Sequence, residues 1–228
     1  MNAQLTFYGH ACFGLQVNDL HLLFDPFLSG NASASIRADD VPADYILVSH
    51  GHGDHIGDTV KIAKRTGATV ICVAEIATWL EAQHVKTHAQ HIGGGFQYPF
   101  GYCKLTLALH GSQLPDGSDG GNPAGFLLTL LDAKKLYYAS DTGLFGDMRL
   151  IGEEGIDVAL LPIGDNYTMG PADALRAVEF LHPRVAIPMH YNTFSLIRQD
   201  AQAWKKKVEE KTETKVVVLQ PGEKFTID

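Results

Sequence analysis

The chain has 228 residues, of which 45% are hydrophobic and 19% charged, and 26 acidic against 18 basic side chains give it a net charge of −8. This length fits one domain over residues 1–228, with enough apolar residues for a core. The acidic balance argues against long nucleic acid as a partner, because phosphate backbones are bound by basic stripes. The one basic run, at residues 205–207, is followed by Glu209 and Glu210 and is typical of a solvated helix face.

The cysteines and the N-terminal residues indicate the cellular compartment of the protein. Cys12, Cys72 and Cys103 are far apart and form no Cys-x-x-Cys pair, so neither a disulfide framework nor a thiolate zinc site is predicted. The first residues lack the basic head and apolar core of a secretion signal, and no apolar run approaches the length of a membrane span. We therefore expect a cytoplasmic protein with no membrane partner, either a monomer or a homo-oligomer.

The N-terminal part of the chain predicts strands first and helices later. Short β-like runs separated by Gly, Asn and Asp are typical of a meander of hairpins. Strands are predicted at residues 5–8, 13–17, 21–24, 45–49 and 69–73. A polar stretch at residues 29–44 interrupts them, and helices are predicted at residues 56–66 and 75–84.

The rest of the chain is β-rich in its middle and mixed at its end. Strands are predicted at residues 104–109, 125–131, 135–139, 157–161, 185–189, 215–219 and 224–227. Helices are predicted at residues 171–181 and 196–210, and residues 111–125 are expected to form a mobile surface loop. Two β-rich halves with interleaved helices predict two packed sheets that are covered by helices.

Residues 50–55 read His-Gly-His-Gly-Asp-His, directly behind an apolar run at residues 45–48. No fold needs this arrangement for packing, and the glycines weaken both helix and strand. A divalent metal explains the pattern. The side chains of His50, His52, Asp54 and His55 can converge on one or two ions, while the glycines let the backbone curl around them.

Other apolar runs also end in side chains that can bind a metal. Four strand-like runs end at His50, His110, Asp141 and His190. Layered α/β proteins build their sites from the carboxyl ends of strands. One polar residue at a strand end carries little information, but four of them beside the motif at residues 50–55 predict a common site at one edge of the sheets.

The order of these residues resembles the metallo-β-lactamase superfamily, in which His-x-His-x-Asp-His follows a strand and precedes a lone His, a lone Asp and a final His. The segments that carry the resemblance are residues 48–58, 139–143 and 187–194, and residues 8–13, 24–28 and 161–170 narrow it further. Those last segments are similar to a branch of small metal-dependent hydrolases related to the lactonase that opens ascorbate 6-phosphate. The resemblance implies an α/β fold, a four-layer αββα sandwich of two mixed β-sheets flanked by helices.

The resemblance also implies two divalent metal ions and their ligands. It assigns His50, His52 and His110 to one ion, assigns Asp54, His55 and His190 to the other, and makes Asp141 the bridge. Imidazoles suit zinc, and a carboxylate can span ions about 3.5–4 Å apart. Zn²⁺ is the first choice, and Mn²⁺, Fe and Ni²⁺ tolerate the same ligands.

The implied chemistry is hydrolysis by a metal-bridged hydroxide, because metal binding lowers the pKa of water to roughly 7. Asp54 would orient the hydroxide and pass a proton to the leaving group. We expect a small-molecule substrate, with anionic metabolites among the candidates, and rank lactone or ester opening slightly ahead of phosphodiester cleavage. The competing hypotheses are a non-catalytic metal-containing binding or assembly protein and redox chemistry at a di-iron site.

Several residues near the predicted ligands are candidates for substrate contact or for support of the site. They are His10, Asp25, Asp44, Asp165, Tyr191 and Asn192. The resemblance places a histidine like His10 near the site, and Asp25 and Asp44 are candidates to hold the outer nitrogens of ligating histidines. Each residue also has a structural interpretation as a turn, capping or core residue. His84, His88 and His91 have helix-like spacing, but residues 87–95 read as a Gly-rich loop, so no separate metal site is predicted there.

Overall fold

The first part of the chain builds one of two seven-stranded sheets. The computed structural model describes residues 3–228. Every second residue is buried along β1 (Ala3–Gly9), as in a strand with one face on a core. The strand pairs antiparallel with β2 (Cys12–Val17), and β2 pairs antiparallel with β3 (Leu20–Phe24). The parallel strands that continue this sheet are β4 (Tyr45–Leu47), β5 (Thr69–Val73) and β6 (Thr87–Gln90), while β14 (Lys224–Thr226) lies on the other side of β1.

The second sheet is antiparallel at its start and parallel at its end. The antiparallel strands are β7 (Gly95–Tyr98), β8 (Gly101–Leu107), β9 (Ala124–Leu130) and β10 (Lys135–Tyr138). The strands that run parallel to β10 are β11 (Val158–Pro162), β12 (Val185–Met189) and β13 (Lys215–Val216). Because β8 and β10 are both antiparallel to β9, they point in the same direction. The carboxyl ends of β8, β10, β11 and β12 therefore meet at one edge.

Helices complete the outer layers. The helices are α1 (Gly53–Ile56), α2 (Thr59–Thr66), α3 (Ala74–Glu81), α4 (Met148–Gly152), α5 (Pro171–Leu181) and α6 (Ala201–Lys211). One apolar cluster fills the space between the sheets, where the ring of Phe24 stacks 5.0 Å from that of Tyr138. A second cluster joins the second sheet to α5 and α6 around the buried Trp204. The predicted four-layer αββα sandwich of two mixed sheets is confirmed.

The differences from the predicted elements fall at the edges of the fold. β6 occupies residues that read as a loop, β7 was not predicted, and each is the outermost strand of its sheet. Three of the four β7 residues are exposed, so this strand lacks the alternation that marks a strand with one buried face. The short helix α4 has too few turns to show a period, and it was not predicted either.

Three predicted helices have different bounds in the structure, and the one predicted at residues 75–84 ends at Glu81. The helix predicted at residues 56–66 is broken at Gly57, whose φ is 35°. The helix predicted at residues 196–210 begins only at Ala201, because the Asp200 carboxylate caps it by accepting hydrogen bonds from the Gln202 and Ala203 amides at 3.0 Å. Residues Ser195–Ile197 form a separate 3-10 turn. Within residues 3–228, no helix has the length and apolarity needed to cross a membrane.

Gly57 sets the position of α1, and we expect Gly57→Ala to destabilise the protein by about 2–4 kcal/mol. A Cβ at this position would lie 2.5 Å from the Pro26 carbonyl oxygen, so a backbone clash adds to the cost of a positive φ. The control is Gly67→Ala, since Gly67 has a φ of 77° and nothing within 4 Å of its Cβ position. It should cost only about 1 kcal/mol. Urea denaturation measures both, and equal losses would contradict the clash.

Candidate metal centre

The candidate site lies where strands of both sheets end. His50 follows β4, Asp141 follows β10 and His190 follows β12, and all three side chains are buried. His110 follows β8 and is half-buried. The predicted convergence of strand-end side chains is thus what the topology produces.

The other predicted ligands belong to the turn that begins α1. The carbonyl of His52 accepts hydrogen bonds from the amides of His55 and Ile56, each at 2.9 Å. This turn buries the His55 side chain completely and leaves 28% of the Asp54 side chain exposed. Gly51 precedes it, and a Cβ there would lie 3.1 Å from the backbone of Gln113, which would have to move by a few tenths of an ångström.

The first group of candidate ligands consists of three histidines. One ring nitrogen from each of His50, His52 and His110 lies within 4.8 Å of the others. His50 Nε2 and His52 Nδ1 are 3.0 Å apart. A cation between these rings could accept a lone pair from each.

The second group combines histidines with a carboxylate. Ligand atoms of His10, Asp54, His55 and His190 all lie within 4.8 Å of one another. His190 Nε2 is 3.8 Å from Asp54 Oδ2, and His10 Nε2 is 3.2 Å from the same oxygen. The structure therefore brings together the three residues predicted for this ion and adds His10 to them.

The Asp141 carboxylate lies between the two groups. Its Oδ1 is 3.3 Å from His55 Nε2, and its Oδ2 is 2.9 Å from His190 Nε2 and 3.6 Å from His110 Nε2. One oxygen thus faces both groups and the other faces the second. This is the placement that a bridging carboxylate needs.

Asp25 supports the site from behind. Its carboxylate accepts hydrogen bonds from His55 Nδ1 at 2.7 Å, the Tyr138 hydroxyl at 2.7 Å, and the Ser49 hydroxyl and amide at 2.5 and 2.8 Å. Because Nδ1 of His55 donates to Asp25, its Nε2 is left to face Asp141. Ser49 Oγ also lies 3.0 Å from His50 Nδ1, and since its proton goes to Asp25 it accepts from His50. Ser49 and Tyr138 were not predicted.

His10 is buried between the candidate centre and the loop after His190. Its Nε2 donates to Asp54, and its Nδ1 accepts from the Thr193 hydroxyl at 2.8 Å. Burial lowers the pKa of His10 to about 4, although the hydrogen bond to Asp54 acts in the opposite direction. A neutral His10 suits this pair of hydrogen bonds. Burial alone would raise the pKa of Asp54, but the hydrogen bond from His10 and the nearby His55 hold it below the ordinary value.

The charges and unpaired atoms of the site fit bound cations. Buried polar atoms are normally hydrogen-bonded, yet His55 Nε2, Asp141 Oδ1 and both ring nitrogens of His190 form no hydrogen bond. Burial would lower the pKa of His55, but the Asp141 and Asp25 carboxylates outweigh it and raise that pKa well above the usual value. Burial has the opposite effect on Asp141 and would raise its pKa, but the nearby His190 and His55 hold that pKa well below the usual value for an aspartate. A metal ion can take the place of the proton that His55 would otherwise carry.

The candidate ligands open onto a cleft of about 360 Å³. The residues that line it are His52, Asp54, His110, Asp141, Tyr167, His190 and Phe194. Neither Tyr167 nor Phe194 was singled out from the sequence as a candidate residue. On the other side of His10 lies a cavity of about 470 Å³ that Tyr191, Asn192 and Thr193 help to line.

Not every predicted supporting residue reaches the site. Asp44 precedes β4, at the opposite end of the strand from His50, and its carboxylate accepts a hydrogen bond from the His21 amide at 2.8 Å. The interpretation of Asp44 as a partner of a ligating histidine is therefore wrong. Asp165 is exposed, and its carboxylate accepts from the amide of Asn166 at 2.8 Å instead of from a predicted ligand. The side chain of Asn192 is engaged by the Gln199 amide at 2.8 Å.

Several residues of the site hold a left-handed backbone. His10, Asp25, Ser140 and His190 have φ values of 60°, 39°, 61° and 54°. A positive φ is uncommon for any residue other than glycine, although Asp and His adopt it more often than most, and it persists where the surroundings enforce it. The His190 amide donates to the His10 carbonyl at 2.9 Å, so two of these strained positions fix each other.

The sequence profile of the β-lactamase superfamily domain matches residues 21–191. A protein of Desulforamulus reducens named UPF0173 metal-dependent hydrolase is 54% identical, and the alignment covers 96% of this chain and 98% of the relative. A Bacillus cereus protein of the same name is 46% identical over 98% of this chain and 100% of the relative.

Solved structures show the same fold. Igni18, described as a novel metallo hydrolase from Ignicoccus hospitalis, has a TM-score of 0.93 and 37% sequence identity, with 100% of this chain and 99% of that chain covered. An isothiocyanate hydrolase from Delia radicum gut bacteria has a TM-score of 0.79 and 19% identity, with 99% of each chain covered, and is similar in fold. The chain therefore belongs to the metallo-β-lactamase superfamily and, within it, to the UPF0173 family of metal-dependent hydrolases.

Proposed function

We propose that the protein is a dinuclear metal-dependent hydrolase that opens a lactone or ester, or cleaves a phosphodiester, in a small metabolite. The observation that carries this proposal is the pair of ligand groups on either side of Asp141, at the floor of an open cleft. Structural metal sites are closed by protein ligands, whereas catalytic sites keep a position open to substrate. The cleft therefore favours catalysis over the alternative of a metal-containing binding or assembly protein.

The proposed ligands follow the division that the family resemblance implies. His50, His52 and His110 would hold one ion, Asp54, His55 and His190 the other, and Asp141 both. Imidazole and carboxylate donors suit Zn²⁺ first, with Mn²⁺, Fe and Ni²⁺ as alternatives. Two bound ions would supply Lewis acidity toward the substrate oxygen and would lower the pKa of water.

The chain's own side chains would orient the reacting groups. Asp54 is reached from the cleft, and His10 fixes one of its oxygens from the buried side. Its carboxylate is therefore placed to accept a hydrogen bond from a water in the cleft and to pass a proton to the leaving group. Asp25 holds the ring of His55 in one orientation, and Ser49 does the same for His50.

Metal analysis and a substrate screen test the proposal. The protein, purified without chelator, should hold about two ions per chain. It should hydrolyse at least one of γ-butyrolactone, p-nitrophenyl acetate and bis(p-nitrophenyl) phosphate, lose this activity on chelation, and regain it with Zn²⁺ or Mn²⁺. His52→Ala should lower both metal content and rate, whereas His91→Ala, at an exposed histidine outside the cleft, should change neither.

Two results would contradict the proposal. Protein that keeps no metal, together with a His52→Ala variant that behaves as wild type in every assay, would remove the metal centre. Protein that holds its metal but hydrolyses none of the three probes would favour the binding or assembly protein.

A further inference from the structure

The walls of the cleft differ chemically from its floor. The floor consists of candidate metal ligands, and the walls are formed by Tyr167 and Phe194. These two aromatic side chains are 50% and 40% exposed. Exposed aromatic surface at the mouth of a polar centre is typical of a site that buries an apolar part of its ligand.

Both aromatic residues are held in place by the fold. The ring of Phe194 lies 5.4 Å from that of His10 and 6.4 Å from that of Phe27. Tyr167 belongs to a tight turn in which its amide donates to the Asp165 carbonyl at 2.5 Å. The fold therefore fixes the ring of Phe194 and the backbone of Tyr167.

Basic side chains are missing from the same walls. Within residues 3–228, no Lys or Arg lines the cleft. Arg198 lies in a separate surface groove, which it shares with the carboxylate of Asp200. Proteins that recognise carboxylate or phosphate groups use Arg or Lys for this purpose, and the walls of this cleft offer neither.

We propose that the substrate is an ester or lactone with an uncharged apolar flank, alkyl or aryl, beside its ester bond, and that this flank lies between Tyr167 and Phe194. This inference rests on the proposed hydrolase function and narrows it, because walls without Lys or Arg disfavour a substrate whose flank carries a negative charge. In the reaction, water adds its hydroxyl to the acyl carbon, the acyl C–O bond breaks, and the leaving oxygen takes the remaining proton.

A matched series of lactones tests whether an apolar, uncharged flank improves the substrate. The probes are γ-butyrolactone, γ-hexalactone and γ-octalactone, with 5-oxotetrahydrofuran-2-carboxylate as the anionic counterpart of γ-hexalactone. With metal-loaded wild type, kcat/KM should rise roughly two- to fourfold for each added methylene, because full burial of a methylene lowers the free energy by about 0.8 kcal/mol and the walls remain partly open. The carboxylate probe should be at least tenfold poorer than γ-hexalactone.

Variants assign this preference to the two walls. Phe194→Ala and Tyr167→Ala should flatten the dependence on chain length without loss of metal, whereas Phe194→Leu should retain most of it. The control is Phe96→Ala, at a phenylalanine on β7 that is 47% exposed and outside the cleft, which should behave as wild type. Melting temperatures of all variants verify that each is folded.

The outcomes separate this inference from the proposed function. Hydrolysis that favours the carboxylate probe, or a chain-length dependence that survives in both alanine variants, would overturn the apolar flank and leave the hydrolase in place. A metal-loaded protein that hydrolyses no ester, lactone or phosphodiester would overturn both.

Discussion

Replacing Asp141 with asparagine is expected to remove bound metal from both halves of the candidate centre and to lower hydrolysis by more than about 100-fold. Changes to residues that only support a metal ligand cost 10–100-fold, and Asp141 faces both ligand groups directly. Its oxygens lie within 3.6 Å of nitrogens of His55, His190 and His110. Asparagine keeps the size of the side chain but removes the charge that balances the cations.

Two quantities are measured: the metal-to-protein ratio, and the rate of hydrolysis of whichever probe substrate the wild type hydrolyses fastest. Asp147→Asn is the matched control, because Asp147 is exposed before α4 and outside the cleft. It should leave both values unchanged. An Asp141→Asn variant with the wild-type metal content and rate would show that this carboxylate bridges nothing.

The sequence predicted the layered fold and the meeting of the seven candidate ligands because both follow from local patterns. The motif at residues 50–55 is contiguous, and the other ligands are read as polar residues at the ends of apolar strands. Parallel strand direction then brings Asp141 and His190 to one edge of the second sheet, and the packing of the two sheets places His50 of the first sheet beside them. The metal ions themselves stay a prediction that the tests above address.

The supporting residues could not be predicted in the same way. Tyr138 reaches Asp25 across 113 positions and from the other sheet, and nothing in an apolar strand marks one tyrosine as a hydrogen-bond donor. Asp25 follows one predicted strand and Asp44 precedes another, so both were equal candidates for the support of a ligating histidine. Only strand direction separates them, because Asp25 follows β3 at the site and Asp44 precedes β4 at the far end. Ser49 did carry a signal, since it directly precedes the candidate ligand His50.

The walls of the cleft were missed for a related reason. Tyr167 and Phe194 lie in connections whose shape depends on left-handed residues, Asp165 and Asn192, with φ values of 64° and 63°. Asparagine and aspartate tolerate this conformation better than other non-glycine residues. Their presence after β11 and β12 indicates a turn, but not which side chain the turn directs into the cleft.

Asp25→Asn is expected to destabilise the metal-free protein by about 3–5 kcal/mol, the usual cost of breaking a buried charge pair. Oδ2 of Asp25 accepts from His55, Tyr138 and the Ser49 hydroxyl, and Oδ1 accepts from the Ser49 amide. An amide has one oxygen, so its NH₂ group would have to face at least one of these donors. Tyr138→Phe removes a single donor and should cost only about 1–2 kcal/mol. Urea denaturation in chelator measures both losses.

The same substitution should weaken metal binding by 10–100-fold, because His55 loses the partner that fixes its ring and tautomer. Competition with a chelator of known affinity measures this effect separately from stability. The matched control is Asp58→Asn, since Asp58 also accepts two hydrogen bonds, from the Leu28 and Ser29 amides at 3.1 and 2.7 Å, but contacts no candidate ligand. It should lower stability and leave metal affinity unchanged. If Asp25→Asn binds metal as tightly as wild type, Asp25 serves the fold alone, and the orientation of His55 must come from the packing around its ring.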